Sequence, residues 1–235
     1  KLEDAARIAA KAAEEWAEAH KRAAKINAEA SEEWAKAHRE AAKIAAEAAK
    51  RAADEARGDK DEDAKRAEDL ARRAIEILEE SAKRAKDAAE DDKRIAKESA
   101  ERAERLARKA KELLKDLAKK KASADDAARL AKRVAEEAKR LDKEAADLSR
   151  DSARRAKELD KRALKLVRDA AREAKKAVDD EDALRVIEKA AEDAERAAKE
   201  SLDVAERALR ESEKAAKESL EVLERALRDA KRAAD

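Results

Sequence analysis

The chain has 235 residues, of which 51% are charged, yet its 61 Lys and Arg residues nearly balance its 60 Asp and Glu residues. This balance argues against a nucleic-acid-binding protein, which needs a basic stripe on its surface. The sequence has no apolar run long enough to cross a bilayer and no signal peptide, so we expect a soluble chain. Because Cys is absent, disulfides and thiolate metal sites are excluded.

The amino-acid composition predicts an all-α protein. Ala, Glu, Lys, Arg and Leu dominate, and Pro, Met, Phe and Tyr are absent, which is typical of long helices or coiled coils. Apolar residues recur with a helical period, so disorder is rejected despite the high charge. Four long helices joined by short loops must lie beside their chain neighbours, and we therefore expect an up-down-up-down antiparallel four-helix bundle. Residues 1–235 are predicted to form one domain and a monomer.

Apolar arcs and cap residues set the expected helix boundaries. The predicted helices cover residues 2–57, 62–121, 124–178 and 181–235. Gly58, the only glycine, ends the first helix because glycine tolerates the left-handed conformation. Asp59 to Asp61 form the next loop and N-cap, Ser123 caps the third helix, and Asp179 or Asp180 caps the fourth.

A unit of 18 residues recurs along the helices, most clearly in residues 14–49, where EEWAEAHKRAAKINAEAS is followed by EEWAKAHREAAKIAAEAA. At roughly 3.6 residues per turn, equivalent positions lie on one line along a helix, about 27 Å apart. This period predicts nearly straight helices, since a supercoil needs a period of about 3.5. The unit contains the only Trp and His residues, which are neighbours on one helix face: Trp16, His20, Trp34 and His38.

The expected core is poor in large apolar side chains. His20 and His38 lie near the centre of the apolar face of the first helix, and most other core positions carry Ala. Because protein interiors are filled to near crystalline density, two explanations are open. Either the helices approach closely through Ala, or a ligand fills the space between Ala-lined walls. We favour the ligand, because His and Trp would not fit comfortably in a thin core.

Antiparallel pairing of the first two helices, with the turn at residues 59–60, brings polar residues opposite polar ones and each Trp opposite a small residue. The facing pairs are His20 with Ser99, His38 with Ser81, Asn27 with Asp92, Trp16 with Ala103, and Trp34 with Ala85.

Five polar residues interrupt small or apolar columns near the middle of the helices, namely Asn27, Asp92, Ser149, Ser152 and Ser212. Because buried polar groups need partners, we expect them to form a hydrogen-bonded layer. Such a layer would set the helix register and separate two cavities.

A His that faces the core of a helical bundle is a suitable axial ligand for haem, and a Ser opposite it suits the second ring nitrogen. The chain resembles designed single-chain porphyrin-binding four-helix bundles. The resemblance rests on the overall architecture and on His20, His38, Ser81, Ser99 and the small facing residues. The resemblance implies a designed protein that binds two haem-like metalloporphyrins, one per His, for redox or light-driven chemistry. Further residues at the implied cofactor sites are Trp16, Trp34, Ala85 and Ala103. Each metal would be five-coordinate, because each site offers one His.

Two other interpretations remain open: a buried His/Ser network placed for specificity or pH switching, and a ligand-free designed scaffold. In every case a designed protein would be soluble and expressed in the cytoplasm of a host. Zinc is disfavoured, since one His per site without Cys or a nearby carboxylate cannot complete four ligands. No nucleophile triad, phosphate-binding loop or carboxylate pair is evident in the core. We therefore expect no enzymatic activity, although an open axial position would permit haem-type reactivity.

Overall fold

The computed structural model describes residues 2–56, 62–118, 124–178 and 180–234. It contains the helices α1 (Leu2–Ala56), α2 (Glu62–Ala118), α3 (Ala124–Lys176) and α4 (Glu181–Ala234). The described residues include no strand, and the contacts between the helices are those of a four-helix bundle. The predicted all-α class is therefore confirmed.

The C-terminal end of α3 differs slightly from the sequence-based expectation. The helix ends at Lys176 and not at Val178. The N–H of Ala177 donates to the carbonyl oxygen of Ala174 at 3.1 Å, which is the tighter bond of a 3₁₀ turn. The regular α-helical ladder therefore stops before the predicted end.

The first turn of α4 is capped by Asp180. Its Oδ2 accepts the N–H of Ala183 at 3.2 Å, and its carbonyl oxygen accepts the N–H of Leu184 at 3.0 Å. The side-chain bond satisfies the N–H of Ala183, which has no partner within the helix, and the carbonyl of Asp180 accepts the first bond of the helical ladder. The remaining predicted ends and caps lie outside the described residues: Arg57, Gly58, Asp59 to Asp61, Lys119 to Lys121, Ser123, Asp179 and Asp235.

The contacts divide the chain into two compact units. Unit 1 comprises Lys1–Ala30, Asp91–Asp151 and Leu209–Asp235, and unit 2 comprises Ser31–Glu90 and Ser152–Ala208. Each unit takes a segment from all four helices. The expectation of a single domain stays a prediction.

Ion pairs show the direction of neighbouring helices inside each unit. In unit 1, Glu14 of α1 pairs with Lys111 of α2, and Lys21 pairs with Glu104, both at 2.7 Å. As residue numbers rise along α1, those of the partners fall along α2. The two helices are therefore antiparallel.

The same relationship holds between α3 and α4 in unit 2. Arg168 pairs with Glu195, and Lys175 pairs with Glu188, both at 2.7 Å. The partner numbers again run in opposite directions, as the predicted up-down connection requires.

Alanine forms most of the core of each unit. In unit 1, the fully buried Trp16 packs in a cluster with Ala103 and Leu141. In unit 2, Trp34 packs with Ala85 and keeps only 4% of its surface exposed. The expectation that His and Trp would not fit an alanine-rich core is therefore wrong. These rings are buried by direct packing of alanine and a few larger apolar side chains around them.

Candidate functional site

In unit 1, His20 of α1 is fully buried, and both of its ring nitrogens are hydrogen-bonded. Its Nδ1 lies 2.6 Å from Oδ1 of Asp142, and its Nε2 lies 2.7 Å from Oγ of Ser99. Because an ionised carboxylate can only accept, Nδ1 carries a proton and donates it to Asp142. In the neutral ring, Nε2 then accepts the hydroxyl proton of Ser99.

Asp142 is buried but receives donors on both carboxylate oxygens. Besides His20, Ser219 donates to Oδ1 at 2.9 Å and the indole Nε1 of Trp16 donates to Oδ2 at 3.0 Å. Three donors replace the water that the carboxylate loses on burial, which would otherwise be costly. The network therefore takes one side chain each from α2, α3 and α4, and two from α1.

Unit 2 contains the same network one repeat along each helix. Nδ1 of His38 lies 2.5 Å from Oδ1 of Asp160, and Nε2 lies 2.8 Å from Oγ of Ser81. Ser201 of α4 shares its hydroxyl between the two oxygens of Asp160, each at 3.0 Å. All four helices again contribute.

The two networks differ at the tryptophan. The ring centroids of Trp16 and His20 are 5.3 Å apart, and those of Trp34 and His38 are 5.6 Å apart, so both rings pack on the adjacent imidazole. The buried Nε1 of Trp34 has no hydrogen-bond partner among the described residues, unlike that of Trp16. Unit 2 therefore contains an unsatisfied donor that unit 1 does not.

The structure confirms the predicted pairing of each His with its Ser, and it places each Trp in one cluster with its predicted Ala. It corrects two expectations, that no carboxylate lies near either His and that no triad is present in the core, because Asp142 and Asp160 each contact a His. Ser201 and Ser219 were not predicted.

One signal in the sequence points to these missed residues. Asp142 and Asp160 are one 18-residue repeat apart, as are Ser201 and Ser219. Asp142 also follows the buried Ala138 by four residues, and so lies on the same helix face. Because they repeat on the apolar face, these residues can be distinguished in the sequence from the many charged residues on solvated faces.

The polar layer is observed only in part. Asn27, Asp92, Ser149 and Ser212 are all buried in unit 1, and Ser212 donates to Oδ1 of Asn27 at 3.2 Å. Ser152 is half-buried and belongs to unit 2. Direct contact between Asn27 and Asp92 stays a prediction, as does a layer that includes all five residues.

The residues at each His, as placed, do not fit an axial metal ligand. Both ring nitrogens of each His are already hydrogen-bonded, so a metal at Nε2 would have to displace the hydroxyl of Ser99 or Ser81. Within the described residues no group of three or more His, Cys, Asp or Glu side chains is placed to hold a metal ion without a cofactor. The cavity lined by Ser99 measures 90 Å³ and that lined by Ser81 measures 40 Å³. Pockets for drug-sized ligands start at roughly 300 Å³, so a porphyrin would require displaced side chains.

An ion pair on the surface of unit 1 lies next to His20 in the chain. The hydrogen bond from Lys21, and then its charge, lower the pKa of Glu104 from its ordinary value of 4.5. The same bond raises the pKa of Lys21 from 10.5. This exposed pair joins α1 to α2 beside the buried network.

Comparisons of the chain with protein-family models, characterised proteins and solved structures return no match. In the part of the chain that the structure describes, no helix combines the length and apolar character needed to span a membrane.

Proposed function

We propose that this chain is a designed helical scaffold, in which two buried His-centred networks select one arrangement of the four helices. The observation that carries the proposal is that each network takes a side chain from every helix and satisfies both ring nitrogens of its His. No ligand is needed to complete either network.

Alanine alone gives little specificity to helix pairing. Small apolar residues pack in many registers at similar cost, whereas a buried imidazole and carboxylate fit only where their partners meet them. A helix displaced along its neighbour would strand a buried charge, which costs far more than a lost alanine contact. The networks therefore make the observed register much better than registers reached by a displacement shorter than one 18-residue repeat.

Metalloporphyrin binding stays a prediction. It would require Ser99 or Ser81 to leave the Nε2 atom of its His and the surrounding alanine walls to separate. The scaffold proposal needs neither movement, because the side chains already satisfy one another. It also provides a role for Asp142 and Asp160.

Titration with haemin tests the proposal. We expect cooperative urea unfolding without ligand, a monomer by sedimentation, and no shifted Soret band at two equivalents of haemin. The variant Ser99→Ala provides a matched probe of haemin binding, because it removes the hydroxyl from Nε2 of His20 without adding bulk. A shifted Soret band in the unmodified chain would overturn the scaffold proposal in favour of porphyrin binding if its intensity fell by half in His20→Ala and likewise by half in His38→Ala.

A further inference from the structure

Three side chains of unit 1 stand in the order nucleophile, base and orienting carboxylate. Oγ of Ser99 lies 2.7 Å from Nε2 of His20, whose Nδ1 lies 2.6 Å from Oδ1 of Asp142. A hydroxyl that donates to an imidazole, itself held by a carboxylate, can lose its proton as it attacks an electrophile. This geometry recurs on unrelated folds and is recognised by atoms and roles rather than by sequence.

The hydroxyl end of this relay is accessible, whereas the other two groups are not. His20 and Asp142 are buried, but Ser99 is half-buried and lines the 90 Å³ cavity. Ile95 and Leu148 give the same cavity an apolar lining, and its charged side chains are Arg102, Glu98 and Glu144. Small uncharged electrophiles therefore have a place to bind beside the hydroxyl of Ser99.

We propose that Ser99 is a nucleophile, activated by His20 as general base and positioned through Asp142, that reacts with small acyl or sulfonyl electrophiles. This activity goes beyond the scaffold function and does not depend on it.

The covalent step balances without any co-reactant. With an activated ester, Oγ of Ser99 forms a bond to the acyl carbon and its proton moves to Nε2 of His20. The bond from the acyl carbon to the leaving oxygen breaks, and the leaving group departs with that electron pair. The imidazolium is stabilised by Asp142 and returns its proton to the leaving group or to water. A sulfonyl fluoride reacts in the same way, with the S–F bond broken and fluoride released.

The repeat supplies an internal control. Ser81 makes the equivalent contact with His38, but it is only 8% exposed and its cavity measures 40 Å³. Arg84, the counterpart of Arg102, donates to Glu80 at 2.5 Å. Both serines therefore have the relay, but only Ser99 combines it with a larger cavity and a half-buried side chain.

Methanesulfonyl fluoride is the sharpest probe, because it is small and the chain has no Cys or Tyr to compete for it. The full chain is treated with the reagent and the modified residues are located by peptide mass mapping over time. We expect one sulfonyl group at Ser99, added at least about tenfold faster than at Ser81, because both serines contact a general base but only Ser99 is half-buried beside the larger cavity. Ser99→Ala should abolish this fast addition, whereas Ser81→Ala should leave it unchanged.

The positioning role of Asp142 is tested by Asp142→Asn, with Asp142→Glu as the variant that keeps the charge. We expect Asn to lower the rate at Ser99 at least about tenfold while labelling of Ser81 and of lysines stays the same, and Glu to restore part of it. Circular dichroism confirms that each variant remains helical. The comparison of Ser99 with Ser81 in the unmodified chain requires no variant. Equal labelling of the two serines, or labelling of lysines alone, would overturn the proposal.

Discussion

The indole Nε1 of Trp16 donates a 3.0 Å hydrogen bond to Oδ2 of Asp142. The equivalent Nε1 of Trp34 is buried without a partner among the described residues. Two tryptophans in equivalent repeat positions therefore differ in one polar contact, which makes them a matched pair for measuring its value.

We predict that Trp16→Phe destabilises the protein more than Trp34→Phe. Both substitutions remove a similar volume, but only the first takes a donor from a buried carboxylate, while the second removes an unsatisfied N–H. The difference should be about 1–3 kcal/mol in the free energy of unfolding. Urea denaturation of both variants gives it directly, and equal losses would contradict the assigned hydrogen bond.

The contact between Asn27 and Ser212 should appear as a coupling energy. Either Asn27→Ala or Ser212→Ala leaves a buried polar group with one partner fewer, so the double variant should lose less than the sum of the two single losses. We expect a coupling of about 1 kcal/mol in a double-mutant cycle of unfolding free energies. Strict additivity would show that the two side chains act independently.

The Lys21–Glu104 pair should make a pH-dependent contribution to stability. The pKa of Glu104 is lowered, so its contribution is present above about 4.5 and is lost as the pH falls through its value in the folded state. The pKa of Lys21 is raised, so its contribution is present below about 10.5 and is lost as the pH rises further.

Glu104→Gln should therefore reduce stability at pH 7 and have a smaller effect at pH 3. Added salt should shrink the effect, because the pair is exposed. Glu15→Gln is the control, since the Lys11–Glu15 contact is longer at 3.7 Å and its side chains are 77% and 58% exposed. A larger effect at pH 3 than at pH 7 would contradict the predicted sign.

Loss of the N-cap of α4 should be visible in the same assay. Asp180→Ala removes the acceptor for the N–H of Ala183 and should cost about 1 kcal/mol in the free energy of unfolding. Asp182→Ala, two residues later, removes a carboxylate that is 88% exposed and should cost less. If the order of the two losses were reversed, the capping role of Asp180 would be wrong.

Much of the fold could be predicted because helix patterning is a local property of the sequence. The apolar arcs gave the four helices to within a few residues. The polar exceptions gave the antiparallel register, and the contacts of His20 with Ser99 and of His38 with Ser81 confirm it. These pairs stood out because Trp and His occur nowhere else in the chain.

The carboxylates were missed for a physical reason. More than half of the residues are charged, so an Asp on a helix is usually a solvated side chain. Burial of Asp142 depends on donors from α1 and α4, and the sequence of α3 alone does not reveal them. Only packing of all four helices shows which aspartates are enclosed.

The hydrogen bond between Ser212 and Asn27 has a consequence for misfolding. A chain built on an 18-residue repeat can slide one helix by a whole repeat and still find a His opposite a Ser or an Asp. Such a shift would place Ala194 where Ser212 stands and leave the buried amide of Asn27 without that donor. One contact that breaks the repeat thus adds to the penalty for a whole-repeat shift, in which one of the two networks would still pair, much as a single buried Asn fixes the register of a coiled coil.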